Sequence, residues 1–250
     1  MQRSNLYVIL FSLILTITLG GILALASEGL APLKQKQIAL DIKKQILSAV
    51  MEVTPNDDVL SIYHERIKPL VVDIEGNFVE KDEEGDSITV ENISVRRQYK
   101  LPAEKRYYPV YEFVSKINSQ DVEAYILPVF GVGLWDYIWA YVAVANDLNT
   151  IKGIAFDHEK ETPGLGARIT DKEIQRRYIG KKLYNDIGKL VSVTMVKGET
   201  RNPHQYDKHH VDGMSGATKT AEGVNDMLFN YTRYYQKYFD KLKAKRPSLK

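Results

Sequence analysis

Two hydroxyl side chains, Ser215 and Thr218, lie in a run of small residues from Asp212 to Thr218, directly before a long helical pattern. Gly213 and Gly216 let a bulky group approach the backbone. The N-terminus of the following helix presents free N–H groups and the positive end of its dipole to an anion. The segment is therefore suited to a hydroxyl that carries a phosphate-linked cofactor. The alternative is that one of the two hydroxyls only caps the helix.

Two further segments could form a pocket for a flat ring. Leu134 and Trp135 follow a glycine loop, and large apolar side chains sandwich aromatic ligands where glycines admit the backbone. Between Glu161 and Gly166, the string Thr162-Pro163-Gly164 predicts a type II turn, because proline fixes the first central residue and glycine supplies the positive φ of the second. The turn would present backbone amides and the Thr162 hydroxyl beside Leu165 to the polar edge of the ring. An ordinary turn and an ordinary glycine loop are the alternatives.

The three segments, in this order, resemble the FMN-binding family that contains the NqrC protein of the Na+-translocating NADH:quinone oxidoreductase and the RnfG protein of the Rnf complex. The resemblance implies that FMN is joined through its phosphate to Thr218, and that a flavin transferase requires Asp212 and Gly213. Glu161 would orient its loop or interact with the flavin. The cofactor-binding residues implied by the resemblance are Thr218, Asp212, Ser215, Gly216, Ala217, Leu134, Trp135, Glu161, Thr162, Leu165 and Gly166.

By the same resemblance, the chain is expected to be an electron-carrier component of a membrane-bound Na+-translocating NADH:ubiquinone reductase. It would work with the other subunits of that complex, would carry no complete active site alone, and is not expected to bind NADH itself. The segment from about Val53 to Tyr111 favours NqrC, because RnfG is typically shorter there. Two alternatives stay open: RnfG, and a membrane-anchored structural protein without flavin.

Composition excludes several other classes of function. The chain has 250 residues, a formal net charge of +2 and no cysteine, so it has no basic excess typical of nucleic-acid binding and no thiolate ligand for zinc or iron–sulfur clusters. Its five histidines form no metal-binding pattern, so no metal is expected. No motif of a hydrolase or a P-loop NTPase is present.

An uncharged apolar stretch runs from Leu6 to Ala26, long enough at about 1.5 Å per residue to cross a hydrocarbon core of about 30 Å. A cleaved signal peptide is the alternative, since Ala24-Leu25-Ala26 has the form of a cleavage site, but its apolar core would be unusually long. We expect a single-pass anchor in the inner (cytoplasmic) membrane over residues 1–30, with the N-terminus in the cytoplasm. Residues 31–250 would then form a soluble periplasmic domain, with the FMN-binding region over about 120–245.

The chain after the anchor predicts an α+β fold on an antiparallel sheet. Periodicities of 3.6 and 2 predict both helices and strands, and no dinucleotide-binding glycine motif follows a strand. Arg96 to Tyr111 is expected to be a surface connection or an edge segment, and Asn146 to Asn149 a hairpin turn. Helices are expected over Lys34–Val50 and Glu222–Lys243, and strands over Leu70–Asp73, Ala124–Val129, Ile138–Ala145, Ile151–Phe156 and Lys189–Val196.

Overall fold

The computed structural model describes residues 5–82, 84–200, 202 and 206–246. The chain divides into two compact units, Met1–Lys43 and Lys44–Lys250. Helix α1 (Asn5–Ser48) forms the first unit and ends in the second. By length and composition it is the one helix among the described residues that could cross a membrane. The separate helix expected from Lys34 is wrong, because α1 continues through Pro32; most of its neighbours there are good helix formers.

The second unit is built on a five-stranded antiparallel sheet whose strands are neighbours in sequence order. This confirms the predicted fold class. Every strand pair in this sheet is antiparallel, with Phe130 opposite Trp139 and Ile138 opposite His158. The strands are β1 (Ile67–Val72), β2 (Tyr108–Val114), β3 (Val122–Val132), β4 (Tyr137–Ala145) and β5 (Ile151–His158).

The hairpin turn between β4 and β5 is confirmed. The Asp147 carboxylate accepts hydrogen bonds from the N–H groups of Asn149 and Thr150 at 3.0 and 2.8 Å. Leu148 takes the positive φ of 57° that closes the turn. The side chain of Asp147 thus replaces the backbone partners that a tight turn lacks, as aspartates in turns often do.

Alternate residues of each strand face opposite sides of the sheet, and each side is covered by helix. On one side, Tyr125 and Leu127 of β3 pack into a core that includes the long helix α5 (Thr218–Lys245). On the other side, Ala124 and Ile126 pack with Ile46 and Leu47 at the end of α1 and with helix α2 (Val59–Arg66). The sheet is buried on both faces, which makes its strands almost continuously apolar.

Two expectations about elements are wrong. The first concerns the segment Arg96 to Tyr111, which contains most of the short helix α3 (Val95–Gln98) and the start of β2. Strand β2 lies inside the sheet between β1 and β3, with Tyr108 and Val110 buried. The arginines and lysines of the segment precede the strand and hide the apolar residues that begin only at Tyr108.

The second concerns the strand expected over Lys189–Val196. It shrinks to β6 (Thr194–Met195), which pairs in parallel with β7 (His210–Val211) in a separate sheet. Ser192 interrupts the run with a φ of 61°. A 3₁₀ turn (Gly166–Thr170) and helix α4 (Lys172–Arg176) follow β5.

Candidate functional site

Thr218 is the first residue of α5 and is half-buried, while Ser215 and Gly216 before it are exposed. The residue at the cap position is Ala217, and no side chain caps the helix. The hypothesis that Ser215 or Thr218 is only a helix cap is therefore wrong. Gly216 has a φ of +73°, a conformation that favours glycine and turns the chain into the helix.

The Asp212 carboxylate shapes this loop from the inside. It is 4% exposed and accepts hydrogen bonds from the Thr200 N–H at 2.9 and 3.1 Å, the Tyr206 hydroxyl at 3.0 Å and the Gly213 N–H at 3.1 Å. A Cβ atom at Gly213 would lie 2.0 Å from the carbonyl oxygen of Val196. Only glycine fits there, so the start of the loop is packed closely against the chain.

A buried ionic cluster holds the middle of the loop. Glu199 accepts hydrogen bonds from Arg168 at 2.8 and 2.9 Å, from Arg177 at 2.9 Å and from the Ser215 N–H at 3.3 Å. Arg177 also donates to the Gly213 carbonyl oxygen at 2.6 Å. The hydrogen bond from Arg168 is the main reason that the pKa of Glu199 lies well below its ordinary value.

Glu161 links three segments of the site. One of its carboxylate oxygens accepts from the Trp135 backbone N–H at 3.0 Å, and the other accepts from the Thr220 hydroxyl at 2.6 Å. The glycines on either side leave room for it: Cβ atoms at Gly133 and Gly166 would lie 2.4 and 2.3 Å from its oxygens. Gly166 is thus placed beside Glu161 inside the protein.

The turn predicted at Thr162-Pro163-Gly164 is present. The Leu165 N–H donates to the Thr162 carbonyl oxygen at 3.1 Å, and Gly164 has a φ of +75°. The Thr162 hydroxyl accepts from the indole N–H of Trp135 at 3.1 Å. This bond joins the turn to the connection between β3 and β4.

Three apolar side chains remain open to solvent around the loop. Trp135 is 67% exposed, Leu134 50% and Leu165 42%. A Cβ atom at Gly216 would lie 2.9 Å from a methyl group of Leu165, so the loop before Thr218 and the turn are in close approach. The structure therefore brings the three segments singled out from the sequence to one place, with an apolar rim beside a hydroxyl.

Comparisons with known proteins agree with this arrangement. Residues 133–232 match the model of the FMN-binding domain family. The third component (C) of the Na(+)-translocating NADH-quinone reductase of Vibrio campbellii, or NqrC, is 34% identical over 217 residues, covering 81% of each chain. The corresponding protein of Haemophilus ducreyi is 33% identical over 251 residues, covering 95% of this chain and 92% of the relative. This chain belongs to the NqrC family of the Na(+)-translocating NADH-quinone reductases.

Solved structures of NqrC share the fold. A crystal structure from Parabacteroides distasonis superposes with a TM-score of 0.68 at 31% identity, covering 84% of this chain and 96% of that one. NqrC of Shewanella oneidensis superposes with a TM-score of 0.69 at 28% identity, covering 82% and 97%. Membership of the NqrC family confirms the resemblance inferred from the three segments, and it decides against RnfG.

Sequence reasoning missed four residues of this NqrC site, namely Arg168, Arg177, Glu199 and Thr220. Three are lone charged residues without a characteristic spacing, and the fourth is a threonine within a helix, so only their burial distinguishes them. Among the residues that the structure describes, no three His, Asp or Glu side chains are grouped to bind a metal ion. His204 lies outside the described residues.

Proposed function

We propose that this chain carries FMN, joined by a phosphoester to Thr218, and relays electrons within a membrane-bound Na+-translocating NADH:quinone reductase. One observation supports this above all: the loop that ends at Thr218 lies against the 161–166 turn, and that turn is hydrogen-bonded to the Trp135 segment. The family and the relatives' names supply the cofactor and the complex.

The residues present fit an attached FMN. Thr218 is half-buried in the first turn of α5, where backbone N–H groups lack helical partners and favour a phosphate. Gly216 keeps the approach to the loop free of a side chain. Leu134, Trp135 and Leu165 offer exposed apolar surface for a flat ring.

The assignment covers the other residues of the loop and its neighbours. Ser215, Gly216 and Ala217 would lie along the phosphate and the sugar-like chain of the cofactor. Thr162 would hold the indole of Trp135 at the rim. Glu161, Gly166 and Asp212 would contribute through the positions of other groups, since all three are buried.

Attachment requires an activated flavin phosphate, and we propose a flavin-containing phosphoanhydride as donor, with a flavin transferase as catalyst. The Thr218 oxygen forms a bond to phosphorus, the phosphoanhydride bond breaks, a nucleoside monophosphate leaves, and the hydroxyl proton passes to a base. No oxidation or reduction occurs in this step. The chain's part is to present the hydroxyl.

When bound, FMN supplies electron acceptance and donation at a potential that its surroundings tune. The chain holds the cofactor, orients it and shields one side of it from water. No nicotinamide site is proposed on this chain, so electrons would enter from and leave to other subunits.

We propose that residues 1–30 anchor the chain in the inner membrane with the N-terminus in the cytoplasm, and that residues 31–250 lie in the periplasm. The apolar part of α1 supports the anchor. The FMN-binding region would extend over about 120–245, around the matched residues 133–232.

The attachment is tested by Thr218→Val, which keeps the side-chain shape and removes the hydroxyl. The full-length chain, produced together with the transferase and then denatured, should lose its flavin fluorescence and the corresponding mass adduct. Ser215→Ala removes the other hydroxyl of the loop, which is exposed, and should retain the adduct.

An adduct that persists in Thr218→Val would place the flavin on another residue. A wild-type chain without any adduct, produced under the same conditions, would favour the alternative of a structural protein without flavin. Purification with the remaining subunits, followed by quinone reduction by the complex, tests the relay role: Thr218→Val should stop it while NADH oxidation by an artificial acceptor continues.

A further inference from the structure

We propose that Glu161 and Thr220 are a positioning pair, which fixes the rotation of the first turn of α5, and hence Thr218, relative to the Trp135 segment. The proposal rests on the proposed function, because it concerns the surroundings of a cofactor on Thr218. Neither residue needs to touch that cofactor.

The pair lies inside the protein. Thr220 is 1% exposed and Glu161 4%, and the Thr220 hydroxyl donates to a Glu161 oxygen at 2.6 Å. Thr220 follows Thr218 by two residues, so the two side chains point to different sides of the helix. Any rotation of the helix that breaks the buried bond therefore turns Thr218 by the same angle.

The second oxygen of Glu161 fixes the opposite part of the site. It accepts from the Trp135 N–H at 3.0 Å, and the next residue, Thr162, accepts from the Trp135 indole at 3.1 Å. Both nitrogens of Trp135 are thus held by consecutive residues. One carboxylate therefore connects the helix that bears Thr218 with the backbone that bears the most exposed aromatic side chain of the rim.

The surroundings are built to accept this carboxylate. Gly133 and Gly166 provide space that a Cβ atom would occupy, at 2.4 and 2.3 Å from the Glu161 oxygens. The donors to the two oxygens, a hydroxyl and a backbone N–H, are neutral. Burial of a carboxylate is unfavourable unless its hydrogen bonds are satisfied, so the placement of both donors matters.

The test compares two buried threonines of α5. Thr220→Val removes the bond to Glu161, whereas Thr232→Val removes a hydroxyl that donates to the Leu228 carbonyl oxygen of the same helix, at 2.7 Å. In the unmodified full-length chain, amide exchange of Trp135 should become about tenfold faster in Thr220→Val and stay within about twofold in Thr232→Val, because a hydrogen bond to a charged group is lost only in the first.

In the flavin-carrying chain, Thr220→Val should keep the covalent adduct, since the Thr218 hydroxyl is intact, but shift the flavin midpoint potential and its fluorescence. Thr220→Ser, which restores the donor, should return the Trp135 exchange rate, the potential and the fluorescence to those of the wild type. Glu161→Gln is the second variant should Thr220→Val fail to fold. Its effect on Trp135 exchange and that of Thr220→Val should combine to less than their product, because both act on one bond.

Equal Trp135 exchange and equal flavin potentials in Thr220→Val and Thr232→Val would overturn the pair. An absence of covalent flavin from the wild-type chain would instead count against the proposed function. The exchange measurement on the unmodified chain would still decide whether Glu161 and Thr220 position the segment.

Discussion

Arg177 and Glu199 form a buried ion pair, with 2.9 Å between the Arg177 Nη2 and Glu199 Oε1 atoms, beside the loop that leads to Thr218. The same guanidinium also binds Glu173 at 2.8 Å, but the Glu173 side chain is 72% exposed and that of Glu199 only 3%. One arginine therefore has one partner inside the protein and one in solvent. The two carboxylates provide a matched comparison.

Glu199→Gln should lower the free energy of unfolding by about 3 kcal/mol, because breaking a buried pair leaves Arg168 and Arg177 without their shared counter-charge. Glu173→Gln should change it by less than about 1 kcal/mol, since exposed pairs contribute little. Urea unfolding of both variants measures the difference. Equal losses would show that the buried pair does not hold the loop.

Stability should fall in acid because of Glu199. Its pKa is lowered in the folded protein, mainly by the hydrogen bond from Arg168, so the unfolded chain binds a proton at higher pH than the folded chain does. The contribution is complete above the unfolded pKa of about 4.3 and is lost as the pH falls below it toward the folded pKa. Unfolding measured at neutral pH and at several acidic values should show a steeper decline for the wild type than for Glu199→Gln.

Two buried tyrosines of α5 should respond differently to loss of their hydroxyl groups. The Tyr235 hydroxyl donates to the carbonyl oxygens of Pro109 and Pro128 at 2.9 and 3.0 Å, so Tyr235→Phe should cost about 1 to 3 kcal/mol. The Tyr231 hydroxyl is buried without a hydrogen-bond partner among the residues that the structure describes, so Tyr231→Phe should be neutral or stabilising. Thermal unfolding of the two variants decides, and a larger loss in Tyr231→Phe would contradict the assignment.

The proposed orientation of the chain can be tested with single cysteines, because the protein has none of its own. A membrane-impermeant maleimide should label Ser87→Cys, at an exposed position, in intact spheroplasts. Asn5→Cys, at the start of α1, should react only after the membrane is opened. The reverse pattern would place the domain in the cytoplasm.

Local sequence patterns predict the elements that depend on local chemistry. Strands β3, β4 and β5, the Asp147 hairpin turn and the Thr162 turn follow from β-branched runs and turn residues, and the structure contains all of them. The sequence pattern places the start of helix α5 at Glu222, but the helix begins at Thr218, because buried Thr220 and Ala221 stabilise its first turn. Helix ends depend on such packing as much as on propensity.

Contacts between residues far apart in the sequence are not predictable in this way. The pairing of Arg168 and Arg177 with Glu199 joins a 3₁₀ turn, the end of a short helix and a loop, and none of the three residues has a distinguishing neighbour. Similarly, β2 becomes visible as an internal strand only through its neighbours β1 and β3. Charge on the preceding segment conceals it.

Helix α5 follows every strand of both sheets in the sequence, and Tyr238 and Phe239 near its end stack edge-on against Tyr125 of β3. During synthesis, the sheet face that it covers must therefore stay uncovered until the ribosome has released most of the chain. This interval leaves an apolar surface available to chaperones or to other nascent chains. A cofactor on Thr218 would meet its complete pocket only after that interval, so maturation of the protein is tied to the last stage of its biosynthesis.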